Sequence, residues 1–338
     1  VKGLFDLEAL SAFAALAICV LDTGAAFAKD ASLLFATAAQ GRAILTMRDD
    51  FVQRMSPFDR SARLKTSKTV SEAEYLKFVG AQVLEWTDND KAALQPVLSY
   101  VRPRVDALDL PWPDPIYLAK TTGNEEGNAP YTRANAIVLP RGELAKIPAP
   151  GTLGDLPGIV AHELFHVLSR HNPALKEKLY AAIGFQPCGE VAFPSRLADR
   201  KITNPDAPKN DHCIRVRLDG KDVWVVPILF SNSEKYDPAR GGEFFNYLQF
   251  QFLRVDGGGA QAPVRATYNQ SDVQIVDVNR LSGFFEQVGR NTNYIIHPEE
   301  ILADNFSLLI RGQTGLPSPD IQRKIKAILD QASGSVHH

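Results

Sequence analysis

The sequence predicts an α+β fold in which helices and strands are segregated along the chain. Three observations carry this prediction. Residues 29–110 are punctuated by helix caps and show near-helical apolar spacing, which reads as an N-terminal helical region. Residues 188–280 are β-rich, with alternating runs and a hairpin turn. Two further helices flank that stretch, one carrying paired histidines and the other clustered carboxylates. The β-rich stretch lies between these two helices, within a second region spanning 111–338.

Taken in order, the first expectation is helix from 31 to about 56. It rests on the recurrence of Leu33, Leu34, Phe35, Ala38, Met47, Phe51 and Val52, with Ser56-Pro57 ending the run. Ser71 and Glu74 make a capping box for a helix carrying Tyr75, Phe78, Val79 and Val83. Thr87 caps the next helix, through Leu94, Val97, Leu98 and Val101, which Pro96 and Pro103 should bend or break. A Pro-rich joint, LPWPDP, follows at 110–115. Short β-type runs come next, at 116–121 and 134–139. A helix starts between Thr152 and Leu156 and reaches about His171, where Asn172-Pro173 opens another. Residues 214–218 alternate, Asp219-Gly220 is a hairpin turn, and 223–230 return. A further strand covers 244–255 and ends at three glycines, 257–259. Helices resume from about 281, then over 298–311, then after Ser318-Pro319-Asp320.

The chain has 338 residues, 45% hydrophobic and 22% charged, with 37 Lys+Arg against 39 Asp+Glu. That composition excludes a disordered chain. It offers no basic excess for a nucleic acid, so no nucleic-acid partner is expected. Residues 9–21 (ALSAFAALAICVL) are uncharged and are followed by Ala26-Phe27-Ala28. This is the pattern of a secretory signal peptide; a membrane span takes roughly 20 apolar residues. Residues 1–28 are thus expected to be cleaved after Ala28, which places the product in the periplasm or outside the cell, without a stable membrane span. Loss of Lys2, Asp6, Glu8 and Asp22 leaves 36 bases and 36 acids, and two cysteines, Cys188 and Cys213. In an oxidising compartment such a lone pair is expected to form a disulfide.

Residues 162–166 read His162-Glu163-Leu164-Phe165-His166, an HExxH pentapeptide in a stretch of helical propensity. Positions i and i+4 share a helix face, so both imidazoles can reach one metal ion. Glu163 lies one position round, where it can take a proton from water at the metal's open position. A third ligand is still needed. His171 does not fit the HExxHxxGxxH pattern, because Ser169 and Asn172 stand where Gly and His are required. Further on, Glu300-Ile301-Leu302-Ala303-Asp304 places two carboxylates at i and i+4. One can ligate the metal and the other can accept the free N–H of a ligand histidine. Glu299 and Glu300 also suit the first turn of a helix begun by Pro298.

HExxH with a downstream ExxAD resembles the gluzincin clan of zinc metallopeptidases. The resemblance covers two short helices. It implies a zincin-like core, one Zn2+ per chain held by His162, His166 and Glu300, Glu163 as general base, and Asp304 as partner of His162. The 133 residues between His166 and Glu300 exceed the family's usual spacing, and the β-rich insertion fills them. The layout also implies a strand whose edge pairs with an extended substrate, expected at 135–139. An oxyanion donor is required too. Tyr294 and His297, just before Glu300, are the first candidates; Tyr236 and Tyr247 are weaker ones. The expectation is a secreted or periplasmic zinc-dependent peptidase acting on a peptide or protein substrate. Two alternatives use the same residues: a catalytically inactive zincin-fold binding protein, and a zinc amidase acting on cell-wall peptides.

Overall fold

The structure, a computed structural model, describes residues 32–147, 153–256, 265, 266, 268, 269 and 272–333. The expected signal peptide (1–28) and the glycine turn (257–259) lie outside the described residues. The fold is mixed α+β, as the sequence predicts. In chain order it runs β1 (Leu33–Phe35), α1 (Ala38–Leu45), α2 (Asp50–Arg54), α3 (Pro57–Arg63), α4 (Glu72–Gln82), β2 (Val83–Leu84) and α5 (Asp88–Asp106). Next come β3 (Ile116–Thr121), β4 (Tyr131–Arg133), β5 (Ala136–Pro140), α6 (Arg141–Leu144), α7 (Leu156–His171) and α8 (Pro173–Ala182). After α8 the chain forms β6 (Phe185–Pro187), α9 (Ser195–Ala198), β7 (His212–Leu218), β8 (Lys221–Ser231), β9 (Leu248–Asp256) and short strands up to 282. Helices α10 (Phe285–Val288), α11 (Pro298–Ile310) and α12 (Pro319–Ser333) complete the described chain.

The first stretch departs from its prediction. The apolar recurrence over 31–56 suggested one helix, but it is divided between a strand and two short helices. Thr37 and Asp49 each cap a new helix with their side chains. Ser56 caps α3 and Pro57 occupies its first turn, so that dipeptide opens a helix instead of closing one. Conversely, α5 runs unbroken through Pro96 and Pro103. Its apolar stripe of Leu94, Val97, Leu98, Val101 and Val105 is buried in the main core, and that burial outweighs the lost backbone bonds.

The N-terminal region is mostly helical, yet β1 and β2 join a five-stranded sheet with the strands that follow it. Strand β3 pairs in parallel with β1 and β5, and β4 pairs antiparallel with β5 at the edge. Alternate residues explain the layers. Leu118, Ile137 and Leu139 face a core shared with α5 and α7, while Ala119, Val138 and Tyr131 face a second core under α1 and α4. The sheet's interior strand β5 (AIVLP) is buried throughout, which is why it reads as a continuous apolar run.

The β-rich stretch forms a separate antiparallel sheet around β7, β8 and β9. The β7–β8 turn is at Asp219 and Gly220, both at positive φ, as the sequence predicts. Cys188 and Cys213 are joined by a disulfide with a Cα separation of 6.0 Å. It closes the segment that leaves β6 and returns as β7. No helix among the described residues is long and apolar enough to cross a membrane.

The helix carrying the histidines packs side by side with α11. Helix α7 is buried on nearly every face. Small residues permit the close approach: Ala303 is fully buried, and Gly158 presents its carbonyl to the Ser307 hydroxyl at 2.8 Å. A Cβ at Gly158 would lie 3.3 Å from that hydroxyl oxygen.

Candidate metal centre

The i, i+4 spacing places His162 and His166 on the α7 face that meets α11. Their rings lie 4.7 Å apart at 81°. Glu300, in the first turn of α11, points one oxygen at both. Its Oε2 is 3.0 Å from His162 Nε2 and 3.5 Å from His166 Nε2. Potential donor atoms of His162, His166 and Glu300 all lie within 4.8 Å of one another.

The outer nitrogens are held by carboxylates. His162 Nδ1 is 2.8 Å from Asp304 Oδ1, the partner expected from the i, i+4 pair on α11. Thr292 donates its hydroxyl to the other Asp304 oxygen. His166 Nδ1 is 3.0 Å from Glu299 Oε1, a partnership the sequence reading did not anticipate. Glu299 is in turn bound by the Ser169 hydroxyl and by Tyr180, whose OH lies 2.6 Å from Oε2.

One atom tests whether a cation fits. His166 is 1% exposed, and its Nε2 is buried without a hydrogen-bond partner. A buried polar nitrogen left unpaired costs free energy. A metal ion that accepts the Nε2 lone pair satisfies it, and the carboxylate on Nδ1 fixes the required tautomer.

The surrounding carboxylates favour positive charge on both rings. Burial opposes charging His162, but its bonds to Asp304 and Glu300 prevail and raise its pKa to about 10. Burial likewise opposes charging His166, yet the carboxylates of Asp206, Glu300 and Glu299 raise it well above the ordinary value. Glu300 resists burial because the two histidines hold its carboxyl well below the usual range. Asp206 goes the other way: burial, with Glu163 and Glu300 nearby, pushes it well up. Five acidic side chains thus surround two imidazoles and favour positive charge there, as protons on the rings or as a cation that replaces them.

Glu163 is 4% exposed and sits beside this cluster. Thr132, on edge strand β4, donates its hydroxyl to Glu163 Oε2 at 2.8 Å. Tyr294 stands close by, its ring 6.2 Å from that of His162 and 44% exposed. His297 does not join the group. It caps α11, its Nδ1 accepting from the Glu299 N–H at 3.1 Å, and its Nε2 lies 3.2 Å from the Lys209 carbonyl. Burial lowers its pKa to about 4, so the ring is neutral and both nitrogens are engaged. Tyr236 and Tyr247 bond to backbone carbonyls of residues 237–242 and pack in a satellite core away from the histidines.

The residues that sequence reasoning missed come from the loop at 203–209 and from β4. Asn204 donates its amide to Glu300 Oε1. The Asp206 carboxylate accepts from the Thr132 N–H at 2.7 Å. Asn204-Pro205-Asp206 reads as a turn, with the Asp206 N–H bonded to Asn204 Oδ1 at 2.9 Å. Nothing in its spacing ties it to residues 162–166. The strand expectation at 135–139 is also corrected: β5 lies between β3 and β4, so the outer edge beside α7 belongs to β4.

No protein-family model matches this chain, and no curated protein or solved structure matches it either.

Proposed function

We propose that the chain is a zinc-dependent peptidase of the gluzincin type, acting outside the cytoplasm on a peptide or protein substrate. The observation that carries this reading is the pair of Nε2 atoms facing Glu300 Oε2, with each Nδ1 held by a carboxylate and His166 Nε2 buried no closer than 3.5 Å to that oxygen. His162, His166 and Glu300 would hold the ion, and Asp304 and Glu299 orient the rings. A bound zinc ion supplies Lewis acidity, polarising a carbonyl and making water a better nucleophile at neutral pH.

The protein's own groups supply the rest. Glu163, oriented by Thr132, accepts a proton from the attacking water and later passes it to the leaving amine. Tyr294 is the nearest candidate donor for the oxyanion. An extended peptide would add to the β4 edge. The disulfide supports an oxidising compartment.

Metal analysis of the purified chain should find one zinc per molecule. Glu163→Gln should keep that zinc and slow cleavage of a peptide library about a thousandfold. Cleavage by this variant at the wild-type rate would remove Glu163 from the role of base.

A further inference from the structure

We infer that Asp206 is a fourth protein ligand of this same ion, so that the described conformation is a closed one, held by the chain's own loop. The inference rests on the metal centre proposed above but not on the reaction it performs.

A second trio of potential donor atoms, from Glu163, His166 and Asp206, lies within 4.8 Å of one another. The two trios share His166. Its Nδ1 is taken by Glu299, which leaves Nε2 to serve both. An imidazole nitrogen offers one lone pair, so the two trios describe the surroundings of one cation. Glu163 and Asp206 are brought together by a single residue, since Thr132 donates its hydroxyl to the first and its backbone N–H to the second. Two neighbouring carboxylates held this way call for a positive charge between them.

The loop that carries Asp206 is fastened to the site on several sides. Asn204 bonds to Glu300. Arg170, in the last turn of α7, donates to the carbonyls of Pro205 and Asp206 at 3.3 Å each. His297 holds the Lys209 carbonyl. Pro205 and Asp206 line two cavities, of about 470 and 60 Å³, so the loop stands between them. The Thr132 N–H it occupies is a donor that an added substrate strand would use on the β4 edge. A catalytic zinc keeps one position open, whereas four protein ligands mark a closed sphere. Substrate access therefore requires the loop 203–209 to leave.

The test uses the whole chain as wild type, Asp206→Asn and Asp206→Ala. The Asn variant keeps an acceptor for the Thr132 N–H, so it separates ligation from loop packing. Zinc affinity is read by competition with a chromophoric chelator, and the cobalt(II)-loaded proteins are titrated with acetohydroxamate in the visible spectrum. Both variants should bind zinc about tenfold or more weakly. Both should take acetohydroxamate at about tenfold or more lower concentration than wild type, because no side chain has to be displaced. A role in positioning alone would leave the hydroxamate titration unmoved. Stoichiometric metal in all three proteins with equal hydroxamate affinity would overturn the Asp206 assignment and leave the metal centre standing. Absence of bound zinc and cobalt from the wild type would overturn both.

Discussion

Arg63 carries no chemistry, yet it fixes the start of the loop over the site. Its side chain is fully buried and bonds Asp59 at 3.0 Å and Glu126, with the guanidinium 4.3 Å from the centre of the Phe244 ring. It also donates to the Thr203 carbonyl at 3.1 Å, while Asp59 accepts from the Thr203 N–H at 2.9 Å. Removing one partner of a buried ion pair strands the others, at a cost of about 3–5 kcal/mol. Arg63→Met should lose stability of that order in urea unfolding; a loss near zero would show that the carboxylates find other partners. His212 offers a pH test. Its ring lies 2.6 Å from Asp211 and 3.0 Å from Glu177. Burial opposes its charge, but the two acids prevail and raise its pKa. Burial opposes Asp211 as well, yet the bond from His212 lowers that carboxyl to about 2. A raised histidine stabilises the fold below its unfolded value and loses this as pH rises through the folded one. A lowered aspartate stabilises above its unfolded value and loses this as pH falls. The pair therefore contributes most between about pH 4 and 6.5. His212→Asn should cost more stability at about pH 5.5 than at about pH 9. Equal losses would assign the effect to packing. At this scale His162, His166, Glu300 and Asp304 were legible because helical spacing brings i and i+4 together. Asn204, Asp206 and Thr132 were not, because an irregular loop and a three-residue edge strand have no period to read.

Caps explain most of what was legible among the elements. Ser71 with Glu74 and Thr87 with Asp90 form reciprocal hydrogen bonds, and both helices start where those residues predict. The misreadings came from apolar recurrence, which does not distinguish one long helix from short pieces sharing a core. Pairing order was illegible as well: β4 and β5 are both short and buried, and only the sheet decides which has the free edge. The disulfide acts on an element too, since it closes the segment that bears Asn204 and Asp206. A crosslink spanning 25 positions stabilises by about 3.5 kcal/mol in the chain-entropy account. Replacing both Cys188 and Cys213 by Ala should lower the unfolding free energy by about that amount in denaturant titration. A loss below about 1 kcal/mol would mean that the unfolded chain keeps this segment restrained without the crosslink.

Over the whole molecule, the site joins parts that are far apart in sequence. His162 and Glu300 are separated by 138 positions, and the entire second sheet lies between them. An ion held by both α7 and α11 binds only when those helices are docked, so it should stabilise the fold by mass action. At a hundredfold excess over Kd the gain is about 2.7 kcal/mol. Thermal unfolding with zinc and with a chelator should then differ by roughly 4 °C; coincident melts would argue against a metal held across both helices. This long-range closure was only half legible. The two motifs complement one another chemically, which the sequence displays, but the path of the intervening chain across the site depends on packing of the second sheet.

An uncovered strand edge presents backbone donors to any passing chain and invites edge-to-edge pairing. On β4 the Thr132 donor is covered by a carboxyl group from the same molecule. Moving the loop aside to admit a substrate would also bare an adhesive edge. Keeping the site shut and keeping one copy from sticking to the next are, at this strand, the work of the same contact.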